Sequence, residues 1–171
     1  MNVISRLKDI RKLSPIWWAI CAVVVFHAAS RWPAVASLMV VFFYCLIKAS
    51  QEGCGRRNFY LGLAIGMGIY SWHLRFFTNI FSGAALILWL VLALWVGLFM
   101  MLASHYQRRR SVPLQCVMLT CAWVALEYFR GELCFLKFTW ATPSLAFKGL
   151  HGTSLLGALG VYGVSGLCVS L

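Results

Sequence analysis

The chain has 171 residues, of which 62% are hydrophobic and only 11% are charged, and its mean hydropathy is +0.83. A soluble domain carries about a quarter of its residues as charged side chains, so this composition excludes a soluble globular protein. The formal net charge is +11, but the basic residues lie between apolar runs, where they act as topology signals and headgroup anchors. No aromatic-basic motif accompanies them, and nucleic acid is not expected as a partner.

Hydrophobic runs divide the chain into six predicted helices. Several of these runs approach the ~20 residues that a helix needs to cross a bilayer, and they are apolar on every side. The sequence therefore predicts an all-α integral membrane protein, a bundle of about six transmembrane helices. The predicted helices lie near 15–30, 33–48, 58–77, 83–104, 113–130 and 154–171.

The first two runs are short and are separated only by Arg31, Trp32 and Pro33, which predicts a short helical hairpin. Lys and Arg are enriched in cytoplasmic loops, so counting them in alternate loops gives the orientation. With a cytoplasmic N-terminus, ten basic residues lie inside and five outside. The inside residues are Arg6, Lys8, Arg11, Lys12, Lys48, Arg56, Arg57, Arg108, Arg109 and Arg110. We therefore predict a cytoplasmic N-terminus, which makes 131–153 the longest extracytoplasmic loop.

Small residues recur in two runs. Gly62 and Gly66 form a GxxxG pattern in the third run, and the sixth run has glycines at three-residue spacing, at Gly157, Gly160, Gly163 and Gly166. Small side chains on one helix face allow close approach of another helix in a membrane. We interpret both patterns as packing within the bundle.

No pattern of metal or cofactor ligands is present. The seven cysteines form no CxxC pair, and neither His27 nor His73 has a second histidine or a carboxylate four residues away. We interpret His27 as a neutral, hydrogen-bonded residue and His73 as an interfacial one. Neither a metal nor a cofactor is expected.

A polar cluster stands where the fifth run leaves the membrane. Glu127 and Arg130 are three residues apart and share a helix face. One interpretation is an ion pair that fixes the depth of the helix, and the other is a site where Arg130 binds a lipid phosphate. Glu132, Cys134 and Lys137 follow, but closeness in sequence does not give the geometry of an activated nucleophile. No catalytic role is assigned to them.

Aromatic residues follow the cluster. Phe138 and Trp140 suit an interfacial aromatic belt, as do Trp17, Trp18, Trp32 and Trp72.

Three segments form a recognisable series: W-x-x-x-E-Y-F-R-G at 123–131, F-T-W at 138–140, and L-G-x-x-G-V-Y-G-V-S at 156–165. Together they resemble the apolipoprotein N-acyltransferase family. The glycine-rich third run and Pro113, which opens the fifth run, are also similar to the family. Thr139 departs from the proline that the family usually has there.

The resemblance implies a multi-pass protein of the bacterial inner membrane, part of an enzyme that transfers an acyl chain from phospholipid to the N-terminal diacylglyceryl-cysteine of lipoproteins. Membrane phospholipid and diacylglyceryl apolipoprotein are the implied partners. The family's catalytic Glu, Lys and Cys belong to a nitrilase-like extracytoplasmic domain that follows a seventh helix. The chain stops within the sixth run, so we expect a truncated membrane domain that is inactive alone.

On this interpretation, lipid and substrate are bound at the rim of the membrane. The predicted binding residues are Glu127, Arg130, Phe138 and Trp140. Two alternatives remain open: a stand-alone membrane scaffold or small transporter, and a membrane module joined to a different catalytic domain, such as a glycosyltransferase. A transporter needs an ionisable path, for which the spans offer little beyond His27 and His73.

Overall fold

A computed structural model describes residues 15–51, 53–107, 111–139, 141–149 and 152–171. Within these ranges the protein is entirely helical, with seven α-helices and no strand, which confirms the predicted all-α fold. The helices are α1 (Pro15–Arg31), α2 (Leu38–Ser50), α3 (Gly55–His73), α4 (Phe77–Phe81), α5 (Ala84–Tyr106), α6 (Val112–Tyr128) and α7 (Gly152–Ser170).

Three helical segments of the described chain are long and apolar enough to cross a membrane, as a helical membrane protein requires. They are Ala84–Tyr106, Val112–Leu133 and Thr153–Ser170. Helices α1 and α2 are apolar but shorter, and they form the predicted hairpin. The hairpin joint is a 3-10 turn, Pro33–Val35, so α2 begins five residues later than predicted. The cause is Pro33, which holds the preceding Trp32 in an extended conformation (φ −119°, ψ 102°).

The third helix is displaced from the predicted range of 58–77. It begins at Gly55, because Arg56 and Arg57 continue the helix beyond its apolar part. It ends at His73, because Leu74 leaves the helical conformation (φ −110°, ψ 21°). Phe77–Phe81 form the separate short helix α4, which the hydropathy pattern does not predict.

Helices α3 and α5 approach most closely at glycine. A Cβ atom on Gly66 would lie 2.6 Å from Ala93 Cα, and one on Gly62 would lie 2.8 Å from Gly97 Cα. The predicted packing role of the GxxxG pattern is therefore confirmed in α3. In α7 the prediction is confirmed at Gly166, where a Cβ would lie 3.1 Å from Val124 Cγ2 of α6. It is wrong for Gly157 and Gly160, because a Cβ on either would meet nothing within 4 Å among the described residues. Gly160 instead breaks the helix, at φ 70° and ψ 174°.

Neutral polar side chains join the helices at one end of the bundle. Gln107 Nε2 donates to Ser50 Oγ (2.8 Å) and to the Ile47 carbonyl (3.2 Å), and Asn58 Nδ2 donates to the Ser50 carbonyl (2.8 Å). Gln115 Nε2 donates to the Gln107 carbonyl (3.2 Å) and brings in α6. We call this region, formed by Ser50, Asn58, Gln107 and Gln115, the Gln107 end. The opposite end, where α1 and α3 terminate and α6 meets the 131–149 segment, is the Arg130 end.

Candidate functional site

The Arg130 end is built on an irregular continuation of α6. A π-helical turn, Phe129–Leu133, extends the helix beyond the predicted end, and the Cys134 N–H donates to the Phe129 carbonyl at 2.7 Å. Gly131 lies in this turn against α7, since a Cβ there would stand 2.7 Å from Tyr162 Oη. Such turns occur frequently at functional sites. The turn places Arg130 towards the interior of the bundle.

Glu127 is an acceptor buried between α6 and α7. It is 4% exposed, and its carboxylate accepts hydrogen bonds from Trp123 Nε1 (3.1 Å) and from Ser165 Oγ (3.1 Å). The bond from Trp123 runs along α6, and the bond from Ser165 joins α6 to α7. Burying a carboxylate within a membrane helix costs free energy unless its oxygens accept hydrogen bonds. Trp123 and Ser165 provide these hydrogen bonds.

Arg130 is equally buried, at 4% exposed, and binds a different helix. Its Nη1 donates to Tyr70 Oη of α3 at 2.7 Å, while Nε and Nη2 are buried without a hydrogen-bond partner among the described residues. Glu127 and Arg130 therefore bind separate partners. Together they link α3, α6 and α7 at one level of the bundle.

A small cavity lies between these two charged residues. It has about 10 Å³ available to the centre of a water molecule, which is room for about one water. A phospholipid headgroup does not fit this volume. Arg130 in this arrangement is shielded from lipid phosphate. The lining residues are Tyr70, Trp95, Val96, Trp123, Leu126, Glu127 and Arg130.

The predicted aromatic residues lie after the turn. Phe138 is half-buried against the core, with its ring centroid 6.2 Å from that of Phe77. Trp140 lies outside the described residues. Between the turn and Phe138 the chain exposes large apolar side chains: Phe135 is 96% exposed and Leu133 is 62% exposed. This segment presents an apolar surface to the surroundings.

Glu132, Cys134 and Lys137 do not converge into a reactive group. Glu132 is exposed and accepts a hydrogen bond from Tyr162 Oη at 2.9 Å. Cys134 is a half-buried free thiol, and Lys137 is exposed with a positive φ of 41°. In the described part of the chain, no group of three His, Cys, Asp or Glu residues is placed to hold a metal ion.

Two partners in this cluster were missed by sequence reasoning. Tyr70 lies 60 residues before Arg130, and Ser165 lies 38 residues after Glu127, so neither is found by helical spacing. A signal existed for Tyr70, because a tyrosine within an apolar helix carries a hydroxyl that needs a partner when buried. Ser165 gives a weaker signal, since a serine in a membrane helix often bonds within its own helix.

Comparison with known proteins identifies a family. The family described as the apolipoprotein N-acyltransferase N-terminal domain matches residues 18–171. The matched range includes the whole cluster around Glu127 and Arg130. No curated protein and no solved structure matches the chain.

Proposed function

Because the chain belongs to the apolipoprotein N-acyltransferase N-terminal domain family, we propose that it positions lipid substrates for N-acyl transfer. The reaction moves an acyl chain from a membrane phospholipid to the N-terminal diacylglyceryl-cysteine of a lipoprotein, in the bacterial inner membrane. The carrying observation is the family match over residues 18–171. On this proposal the chain is part of the membrane domain of the enzyme, and the nucleophile and its acid–base partners belong to a different domain.

At the Arg130 end, we assign different roles to the buried charged residues and to the exposed apolar ones. Glu127 and Arg130 are buried and bind protein partners, so we assign them as positioning residues rather than as lipid ligands. They link the last turns of α3 and α6 to Ser165 of α7, and the segment at 133–138 follows directly on α6. That segment carries the exposed Leu133 and Phe135 and the half-buried Phe138. Apolar and aromatic side chains of this kind contact acyl chains at a membrane surface, and Trp140 belongs to the same rim in sequence.

A chimera tests the proposal. Residues 18–171 would replace the matching domain of an active apolipoprotein N-acyltransferase, and acylation of a diacylglyceryl lipopeptide would be measured in proteoliposomes. We expect the chimera to transfer acyl chains and Arg130→Ala to lower kcat/KM roughly tenfold or more, mainly through kcat, because the bound lipid is then badly aligned. Arg130→Lys should recover part of the loss, since it keeps a donor for Tyr70.

Two controls accompany this test. Arg75→Ala removes an exposed arginine that stands over Trp72 at the same end, and it should leave the kinetics unchanged. The chain without any catalytic domain should form no acyl thioester with labelled phospholipid. A folded, inserted chimera without acyl transfer, or thioester formation by the chain alone, would refute the proposal.

A further inference from the structure

A second and larger recess lies at the Arg130 end, apart from the buried cluster. It is bounded by the last turns of α1 and α3 and by a 3-10 turn, Pro143–Phe147. The volume available to the centres of water molecules is about 190 Å³, compared with about 10 Å³ in the cavity beside Arg130. The recess therefore has room for on the order of ten water molecules. The recess is large enough for a polar headgroup.

The lining of this recess is suited to an anion. Its polar residues are Ser30, His73, Thr142 and Lys148, and the rest of its lining is apolar and includes Leu74 and Phe76. None of the described residues that line it is acidic. Lys148 therefore brings a positive charge that no lining carboxylate neutralises.

The loop that carries Lys148 is held in place by packing. Gly149 lies against the α1–α2 joint, since a Cβ there would be 2.8 Å from Pro33 Cβ. Thr142 is 3% exposed and its hydroxyl lies 3.3 Å from the buried Ser144 hydroxyl. The recess is consequently preformed, which lowers the entropy lost on binding.

His73 contributes an aromatic ring to the lining of the recess. The His73 ring stacks on the His27 ring, with centroids 5.0 Å apart and planes 11° from parallel. His27, which does not line the recess, has its Nε2 3.3 Å from the Gly68 carbonyl. A histidine ring carries at least one N–H in either protonation state, so His73 can serve as a donor to a bound group.

Tryptophans mark the depth of the recess. Trp32 follows α1 and is 60% exposed, and Trp72 at the end of α3 is 64% exposed. The Arg75 guanidinium stands 5.5 Å over the Trp72 ring. Exposed tryptophan beside arginine is typical of the headgroup level of a bilayer, where the phosphates of phospholipids lie.

We propose that this recess binds a phosphate group at the membrane surface, with the Lys148 ammonium as its charge partner. The Ser30 and Thr142 hydroxyls supply hydrogen bonds, and the apolar wall at Leu74 and Phe76 accepts the carbon skeleton attached to the phosphate. The source of the phosphate is a phospholipid headgroup or free inorganic phosphate. This site does not depend on acyl transfer by the chain or by any domain joined to it.

Binding to the full chain in mixed micelles tests the proposal with three probes: phosphatidylglycerol, a galactolipid without phosphate, and inorganic phosphate. The apparent Kd is taken from the shift of the thermal unfolding midpoint during titration. Lys148→Gln should weaken phosphatidylglycerol binding about tenfold, as expected for the loss of one charge-assisted hydrogen bond. Lys137→Gln is the matched control, since it removes the same charge from an exposed residue of the same segment that does not line the recess.

Ser30→Phe gives a second variant, which fills the recess and retains Lys148. If both variants weaken phosphatidylglycerol binding and inorganic phosphate does not displace the lipid, the site binds a lipid headgroup. Displacement by inorganic phosphate assigns it to the phosphate ion itself, and both results support the proposal. Equal effects of Lys148→Gln and Lys137→Gln, or galactolipid binding as tight as that of phosphatidylglycerol, would overturn it.

Discussion

The two ends of the bundle both join their helices through polar side chains, but with different chemical groups. At the Gln107 end, Asn58, Gln107 and Gln115 donate to backbone carbonyls, and every side chain in the network is neutral. At the Arg130 end, two charged residues are buried and each binds the side chain of another residue. Neutral amides are thus sufficient to tie helices together in this protein. The charges at the Arg130 end exceed what helix packing requires.

The backbone shows the same contrast. The non-glycine residues with positive φ in the described chain are Ser82, Lys137 and Ala141, and all three lie in connections at the Arg130 end. That end also contains the π-helical turn. Strained backbone is retained where the surrounding structure needs a particular geometry, which is usual at functional sites. These features agree with the proposal of a functional site at the Arg130 end, whereas the contacts at the Gln107 end join the helices.

Removal of the buried carboxylate should have the largest effect on stability. Glu127→Ala leaves the Trp123 and Ser165 donors without an acceptor and leaves Arg130 without a nearby negative charge. We expect the free energy of unfolding, measured by SDS titration in mixed micelles, to fall by about 3 kcal/mol. Glu132→Ala removes only the exposed hydrogen bond from Tyr162 Oη and should change it by about 1 kcal/mol or less. Equal losses would show that burial does not distinguish the two carboxylates.

The bond from Arg130 to α3 should have an intermediate effect. Tyr70→Phe keeps the ring and removes only the oxygen that accepts from Arg130 Nη1. The same titration should show a loss of about 1.5 kcal/mol, because the guanidinium then has one more unpaired buried N–H. Tyr44→Phe is the control, since Tyr44 is 51% exposed. No difference between the two variants would indicate that Arg130 finds another acceptor.

The neutral network should be the most tolerant. Gln107→Leu removes two hydrogen bonds to α2, but it also removes the buried Oε1, which has no partner among the described residues. Hydrogen bonds between membrane helices contribute about 0.6 kcal/mol each on average, so we expect a loss of about 1 kcal/mol. Gln51→Leu, at an exposed position of the same end, is the control. A loss larger than that of Glu127→Ala would reverse the comparison between the ends.

Hydropathy located six of the seven described helices because each of the six contains an apolar run. It carried the third helix to residue 77 and did not predict α4, since the break at Leu74 is a backbone feature without a glycine or proline to signal it. The polar contacts were predicted only in part. Glu127 and Arg130 stood out as charges, but their partners come from helices far away in sequence.

The Gln107 end was not predicted for a related reason. The prediction of polar contacts rested on charged residues and did not include Asn58 and Gln107. A buried neutral amide near the end of an apolar run also needs hydrogen-bond partners. The recess beside Lys148 depends on how the loop returns over α1 and α3, which no local pattern encodes. Local patterns therefore predict elements, and the contacts between distant elements require the fold.

The α3–α5 contact offers a measure of helix spacing across the family. Every amino acid other than glycine has a Cβ atom, and at Gly62 and Gly66 that atom would stand within 3 Å of the facing backbone. Relatives that keep this spacing are thus restricted to glycine at both positions, while a relative with alanine there must hold the two helices farther apart. Sequence variation at two positions consequently reports a distance in proteins whose structures have not been solved.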